Sequence, residues 1–215
     1  MSGAASFMEL LDRIAGLPRE RRSLIAIAGP PGAGKSSFAD ELESRLNREE
    51  GGSTAVLPMD GYHFDDMLLE ARGHRARKGA PHTFDVDGLK AMLDRLRLDD
   101  GRDVVVPVFD RALEIARAGA RVIPGTVRRV IVEGNYLLLD DPDWAPLRTC
   151  FDLTVMLDVP WDIIEQRLVA RWQGFNYDAQ ALRAKMEGND LPNVWLVREH
   201  SVAADLVVPN AVPRT

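Results

Sequence analysis

Residues 23–38 read SLIAIAGPPGAGKSSF, and this stretch decides the fold. An apolar run, Leu24, Ile25, Ala26, Ile27 and Ala28, enters a glycine-rich turn made of Gly29, Pro30, Pro31, Gly32, Ala33 and Gly34. Lys35, Ser36 and Ser37 follow at once with residues that can open a helix. The order is strand, loop, helix, with G-x-x-x-x-G-K-S between them. Glycines let the backbone curl with its N–H groups pointing inward, where phosphate oxygens meet them without a side chain in the way. The start of the helix adds unpaired N–H groups and the positive end of its dipole. In this pattern Lys35 bridges the β- and γ-phosphates, and the Ser36 hydroxyl enters a Mg²⁺ shell that needs few protein groups because Mg²⁺ keeps its waters. The strand-to-helix context favours a bound nucleoside triphosphate over a chance glycine turn before Lys-Ser. The loop does not choose among kinases, switches, motors and transport ATPases.

The whole chain narrows the setting. Its 215 residues, 46% of them hydrophobic, suffice for one substantial core and are few for two, which predicts a single domain over 1–215. A net charge of −6 argues against nonspecific nucleic-acid binding, which needs a clustered positive surface. The single cysteine, Cys150, rules out an internal disulfide, and the four histidines form no ligand pattern. No stretch has the apolar length of a membrane span, and the start carries no basic segment followed by a hydrophobic one, so a cytoplasmic location is expected.

Upstream of the loop, Ser6 is placed to cap a helix with Phe7, Leu10, Leu11 and Ile14 on one face. Downstream, a polar helix reaching about Glu50 precedes a second apolar run, 55–59, which delivers Asp60, Gly61, Tyr62 and His63. In open α/β sheets ligands sit outside the carboxyl ends of the strands, which makes Asp60 a candidate general base; a turn Asp before Gly is the equally open alternative. Arg72, Arg75, Arg77 and Lys78 form a run that reads either as a solvated basic loop or as a mobile segment that meets an anionic group. Asp85 or Asp87 starts a helix with Leu89, Met92, Leu93 and Leu96 on one face.

Residues 104–106 are strand-like and lead to Asp110 and Arg111, while 112–123 is ambiguous between helix and hairpin. The run 128–132 reads as a buried strand ending at Glu133, where a second acidic group would act on Mg²⁺ or its water; a strand-end turn Glu is the plainer reading. Residues 144–150 are a short helical piece and 153–159 a further core strand. Pro160 then opens a helix to about Gln173. Arg167 and Arg171 lie four apart on it, hence on one face, as surface ion pairs or as a lid that neutralises charge on a transferring phosphoryl group. A helical pattern resumes over 179–186, residues 187–193 read as loop, and 205–208 as a last strand. The alternation predicts an α/β fold, a doubly wound, mainly parallel sheet with helices on both faces.

Taken together, the AGPPGAGKSS, MDGYH, KGAPHTFDVDGL, PVFDR, VIVEGNYLLL, DIIEQRLVAR and SVAADLVV segments resemble the P-loop kinase group containing uridine kinase, bacterial-type pantothenate kinase and phosphoribulokinase. They cover most of the chain from Ser23 to Val208. KGAPHTFD and EGNYLLL are most similar to a bacterial subgroup labelled uridine-kinase-like or fructose transport system kinase. The resemblance implies the P-loop NTPase fold, with acceptor-site and lid segments inserted at about 60–85 and 161–193, and ATP and Mg²⁺ as cofactors. It implies that Asp60 deprotonates the acceptor hydroxyl, that Glu133 serves the metal with Ser36, and that Arg167 and Arg171 form the lid. It makes His82 and Asp85 acceptor contacts, and His63, Arg72, Lys78, Asp110 and Arg111 join them as substrate candidates. The chain departs from uridine kinases at residues 61–63 and 109–111, where those enzymes carry an aromatic-rich acceptor motif and a PxYDF-type segment.

The expectation is an ATP- and Mg²⁺-dependent kinase acting on a hydroxyl of a small metabolite, a nucleoside, sugar or pantothenate-like molecule. No nucleic-acid or membrane partner is expected, and a homodimer is left open. The rival is a nucleotide-hydrolysing switch or accessory protein without an acceptor. The chain contains no N-K-x-D guanine-reading motif and no serine-glycine-glycine transport signature.

Overall fold

The structure, a computed structural model, describes residues 4–211. Its strands are β1 (Ser23–Ala28), β2 (Thr54–Pro58), β3 (Val104–Asp110), β4 (Ile115–Ile123), β5 (Arg129–Gly134), β6 (Leu153–Asp158) and β7 (Leu206–Pro209). The helices are α1 (Phe7–Ala15), α2 (Lys35–Glu49), α3 (Asp66–Ala71), α4 (Val86–Leu98), α5 (Trp161–Gly174), α6 (Ala179–Lys185) and α7 (Leu191–His200). Five strands form one parallel sheet in the order β2-β5-β1-β6-β7, and β3 pairs with β4 as a separate antiparallel hairpin.

Strand alternation divides the core. Leu24, Ala26 and Ala28 of β1 pack with Val130 and Val132 on the α4 side, whereas Ile25, Ile27 and Ile131 face the side covered by α1, α2 and α5. Every residue of β1 is buried, as expected of the middle strand of a parallel sheet covered on both faces. Helix starts follow their side chains: the Glu9 N–H donates to Ser6 Oγ at 3.1 Å, and the Gly88 N–H donates to Asp85 Oδ1 at 2.9 Å.

The structure decides one segment that the sequence leaves open and corrects another. Residues 112–123 resolve as the return strand of a hairpin. Most of β4 is exposed, so neither a helical nor a strand period could mark it. Residues 187–193 are not a loop. A π-turn, Met186–Asp190, runs directly into α7, and Pro192 sits in that helix's first turn, where a missing N–H costs nothing.

Gly61 does not adopt the left-handed backbone that an Asp-Gly turn would need. A Cβ there would lie 2.6 Å from the carbonyl oxygen of Pro107, so the glycine permits close approach of β3 to the chain after β2. No helix among the described residues is long and apolar enough to cross a membrane.

Candidate active site

The glycine loop curls through left-handed residues at Gly32 (φ 81°) and Gly34 (φ 79°), which only glycine adopts without strain. It leads into α2, whose second residue, Ser36, donates its hydroxyl to Glu133 Oε1 at 3.1 Å. The parallel register sets Glu133 opposite Ile27 of β1 and Pro58 of β2, so the strand ends gather Lys35, Asp60 and Glu133 at one edge of the sheet. Lys35 is buried, with its Nζ donating to the Pro30 carbonyl at 3.0 Å. A cavity of about 570 Å³ opens from these groups, and His63, Asn135 and Arg171 also line it.

Charge is concentrated and poorly solvated here. Burial pulls the Lys35 ammonium down to about 8, opposed by Glu133 and Asp60. Burial and the charge of Asp60 push the Glu133 carboxyl up to about 7, against Lys35 and the Ser36 hydrogen bond. For Asp60 burial acts upward, but His63, Arg111 and Lys35 together hold the carboxyl below its ordinary value. Of the two interacting carboxyls, Asp60 is therefore the one kept ionised and Glu133 the one that takes a proton first. Arg111, just past β3, pairs with Asp60 at 2.8 Å. The His63 ring lies 4.0 Å from Phe84 and 4.7 Å from Phe109, centroid to centroid, and its Nδ1–H donates to the Asp60 carbonyl at 2.8 Å.

The residues singled out in the sequence separate on this geometry. Pro31, Gly32, Gly34, Lys35, Ser36 and Ser37 border the cavity. Gly29, Pro30 and Ala33 shape the loop from behind, where the Ala33 carbonyl accepts from Asn210 Nδ2 at 2.8 Å. Arg171 lines the cavity, but Arg167 does not. The Arg167 guanidinium donates to the carbonyls of Asn210 (3.0 Å) and Ala211 (2.9 Å), and at 3.3 and 3.5 Å to those of Gly32 and Ala33.

Lys78 lines the cavity, pairs with Asp66 at 2.6 Å and lies over the Phe109 ring. Four other expected contacts lie outside it. Arg72 is exposed over the Phe64 ring, His82 packs against His74, Asp85 caps α4, and Asp110 holds the hairpin turn through the Ala112 and Leu113 N–H groups and Arg117. Each is drawn away by a nearer partner.

Asn135, Asn189 and Asn193 line the cavity although the sequence does not single them out. Asn189 donates to the Lys78 carbonyl at 3.0 Å, Arg77 to the Gly188 carbonyl at 2.7 Å, and Tyr136 to the Gly79 carbonyl at 2.6 Å. The first two bonds fasten the basic segment against the π-turn before α7, and the third fastens it to the chain just past β5. Asn189 and Asn193 are four apart, a helical signal that Gly188 and Pro192 obscure. Asn135, two residues beyond Glu133, could have been read from its strand-end position.

Ser36 and Glu133 fit a Mg²⁺ ion. They offer a hydroxyl and a carboxylate, both hard oxygen donors, and the carboxylate is one that burial disfavours and a cation would relieve. The described residues contain no cluster of three or more His, Cys, Asp or Glu suited to a metal.

A parallel sheet in this order, with a glycine loop after its middle strand and carboxylates at the neighbouring strand ends, defines an α/β P-loop kinase fold. The chain belongs to the phosphoribulokinase / uridine kinase family, whose family model matches residues 24–209. Among its relatives, the "uncharacterized protein YggC" of Escherichia coli (strain K12) is 35% identical over 190 residues, spanning 88% of this chain and 78% of that protein. A "putative uridine kinase" of Schizosaccharomyces pombe is 29% identical over 212 residues, 95% of this chain and 90% of that one. A solved structure of a "putative fructose transport system kinase" from Silicibacter sp. TM1040 superposes with a TM-score of 0.85 at 40% identity, covering 93% and 95% of the two chains. Family and relatives point to a P-loop kinase of small metabolites.

Proposed function

We propose that this protein, working as one kinase domain in the cytoplasm, transfers the γ-phosphoryl group of ATP to a hydroxyl of a small metabolite. The observation that carries this reading is Asp60, a carboxylate kept ionised in the same cavity as the buried lysine of the glycine loop. The loop N–H groups and Lys35 hold the phosphates, and Ser36 and Glu133 hold Mg²⁺. When bound, that ion offsets phosphate charge and polarises the γ-phosphoryl group. Asp60 accepts the proton of the acceptor hydroxyl as its oxygen bonds to the γ-phosphorus. The bond from that phosphorus to the bridging oxygen breaks, and ADP leaves with the electron pair. Arg171 neutralises charge spreading over the transferring oxygens. Arg111 leaves Asp60 for the incoming phosphate, which frees the carboxylate to act as a base.

The cavity also extends to Lys78, Asn193 and Trp172, room that a switch without an acceptor does not need. The test is an ADP-release assay with ATP and Mg²⁺ over nucleosides, sugars, sugar phosphates and pantothenate, run beside Asp60→Asn. The variant keeps the shape and loses the basicity. Acceptor phosphorylation should fall ~10²–10⁴-fold, the range of general-base catalysis, while ATP binding survives. If no acceptor raises ADP release above the acceptor-free rate, the switch reading replaces this one.

A further inference from the structure

Asp190 closes the π-turn that joins α6 to α7. Such single turns are rare and are frequent at functional sites. The residue is only 7% exposed, lines the same cavity as Asp60, and accepts the indole N–H of Trp172 through Oδ2. The Asn189 side chain is a second partner. A carboxylate can accept about four hydrogen bonds, so these two leave part of that capacity unused. Burial pushes the Asp190 carboxyl up, against the Trp172 hydrogen bond and the charges of Lys185 and Arg171. The Lys185 ammonium lies 5.1 Å from the centre of the Trp172 ring. Tyr177 and Phe175 pack on the same indole, at centroid distances of 5.0 and 5.9 Å, and both line the cavity.

We propose that Asp190 is a specificity-determining residue that accepts a hydrogen bond from a second hydroxyl of the acceptor, so that the acceptor is a polyhydroxylated, sugar-bearing metabolite. The inference rests on the kinase reading above. An acceptor whose other polar group is itself a carboxylate brings Asp190 a like charge and no hydrogen-bond donor. An acceptor with one hydroxyl leaves the remaining lone pairs of Asp190 without a donor. A neutral hydroxyl fills them and adds no charge where Lys185 and Arg171 already balance the carboxylate. The Trp172, Phe175 and Tyr177 rings supply the apolar surface that the C–H face of a sugar or a flat base covers.

The test uses the full chain with ADP and Mg²⁺. D-ribose, 2-deoxy-D-ribose, uridine, 2′-deoxyuridine, D-fructose and 3-hydroxypropionate are each titrated by calorimetry and assayed separately for ADP release from ATP. A polyhydroxylated member should bind best, and its deoxy partner should bind ~10–100-fold more weakly, the usual worth of a hydrogen bond to a charged group. In Asp190→Ala the parent should lose that same factor, the deoxy partner should lose almost nothing, and the KM for ATP should not move. Asp190→Asn keeps the side-chain shape and should lie between them, so a variant that merely fails to pack is recognised by its thermal melt. Equal losses for parent and deoxy acceptor, or tightest binding by 3-hydroxypropionate, overturn the assignment, as does a panel in which no polyol binds. Polyol binding without ADP release defeats the kinase reading and leaves Asp190 standing. ADP release that ignores both variants does the reverse.

Discussion

Arg167 and Arg171 share a helix face and look interchangeable in the sequence, yet the structure gives them different work, and substitution should separate them. Arg167→Met keeps the aliphatic stem and removes a guanidinium that ties the loop carbonyls of Gly32 and Ala33 to those of Asn210 and Ala211. A hydrogen bond to a charged group contributes about 1.5–3 kcal/mol net. The contacts to Gly32 and Ala33 are long, and water can replace part of the rest at this half-buried site, so the combined loss should be about 1–3 kcal/mol. For a chain of this size that lowers Tm by roughly 2–10 °C. The loosened loop should raise the KM for ATP several-fold while kcat stays within a few-fold of wild type. Arg171→Ala should do the opposite. It should leave Tm unchanged and cost kcat ~10²-fold, as expected for a group whose interaction strengthens in the transition state. Thermal melts and steady-state kinetics on both variants decide the matter. An Arg167→Met protein with normal Tm and normal KM for ATP but depressed kcat would refute the buttress argument and return Arg167 to the lid.

Two further outcomes are expected. Glu133 is pushed up to about 7, and only its ionised form binds a cation, so Mg²⁺ affinity in the presence of ADP should weaken as pH falls from 8 to 6. Calorimetry on Glu133→Gln controls for the protonation of ADP itself, and identical pH profiles for the two proteins would remove Glu133 from the metal site. Gly61→Ala places a Cβ 2.6 Å from the Pro107 carbonyl oxygen, so the hairpin must shift, with an expected destabilisation of about 1–3 kcal/mol and loss of turnover as Arg111 is carried out of reach of the phosphate. A variant with wild-type melting and kinetics would show that β3 does not depend on that close approach.

The sequence alone marked the strands of the parallel sheet and placed Lys35, Asp60 and Glu133 just past strand ends, while the strand order came from the structure. Strand β1, the glycine loop and the start of α2 are contiguous in the chain, and an apolar run followed by Asp60 or Glu133 marks a strand end without any tertiary information. Parallel pairing then leaves those ends little freedom, because neighbouring strands all point the same way. Other features depend on docking. Arg167 and Arg171 are about 6 Å apart along α5 at 1.5 Å per residue, and only the way α5 packs decides that one reaches the back of the loop and the other the cavity. Asp85 and Asp110 carry the right chemistry for a ligand, but backbone N–H groups a few residues away claim their oxygens first. Hairpin β3–β4 has too few buried residues to show a period, so its place over Asp60 came only from the contact at Gly61. Residues 187–193 hide a π-turn and a helix behind Gly188 and Pro192, and with them Asn189, Asp190 and Asn193. Which amides and carboxylates face an acceptor is set by packing between segments more than a hundred residues apart, as in the bond from Asn189 to the Lys78 carbonyl, and no local pattern in the chain records that.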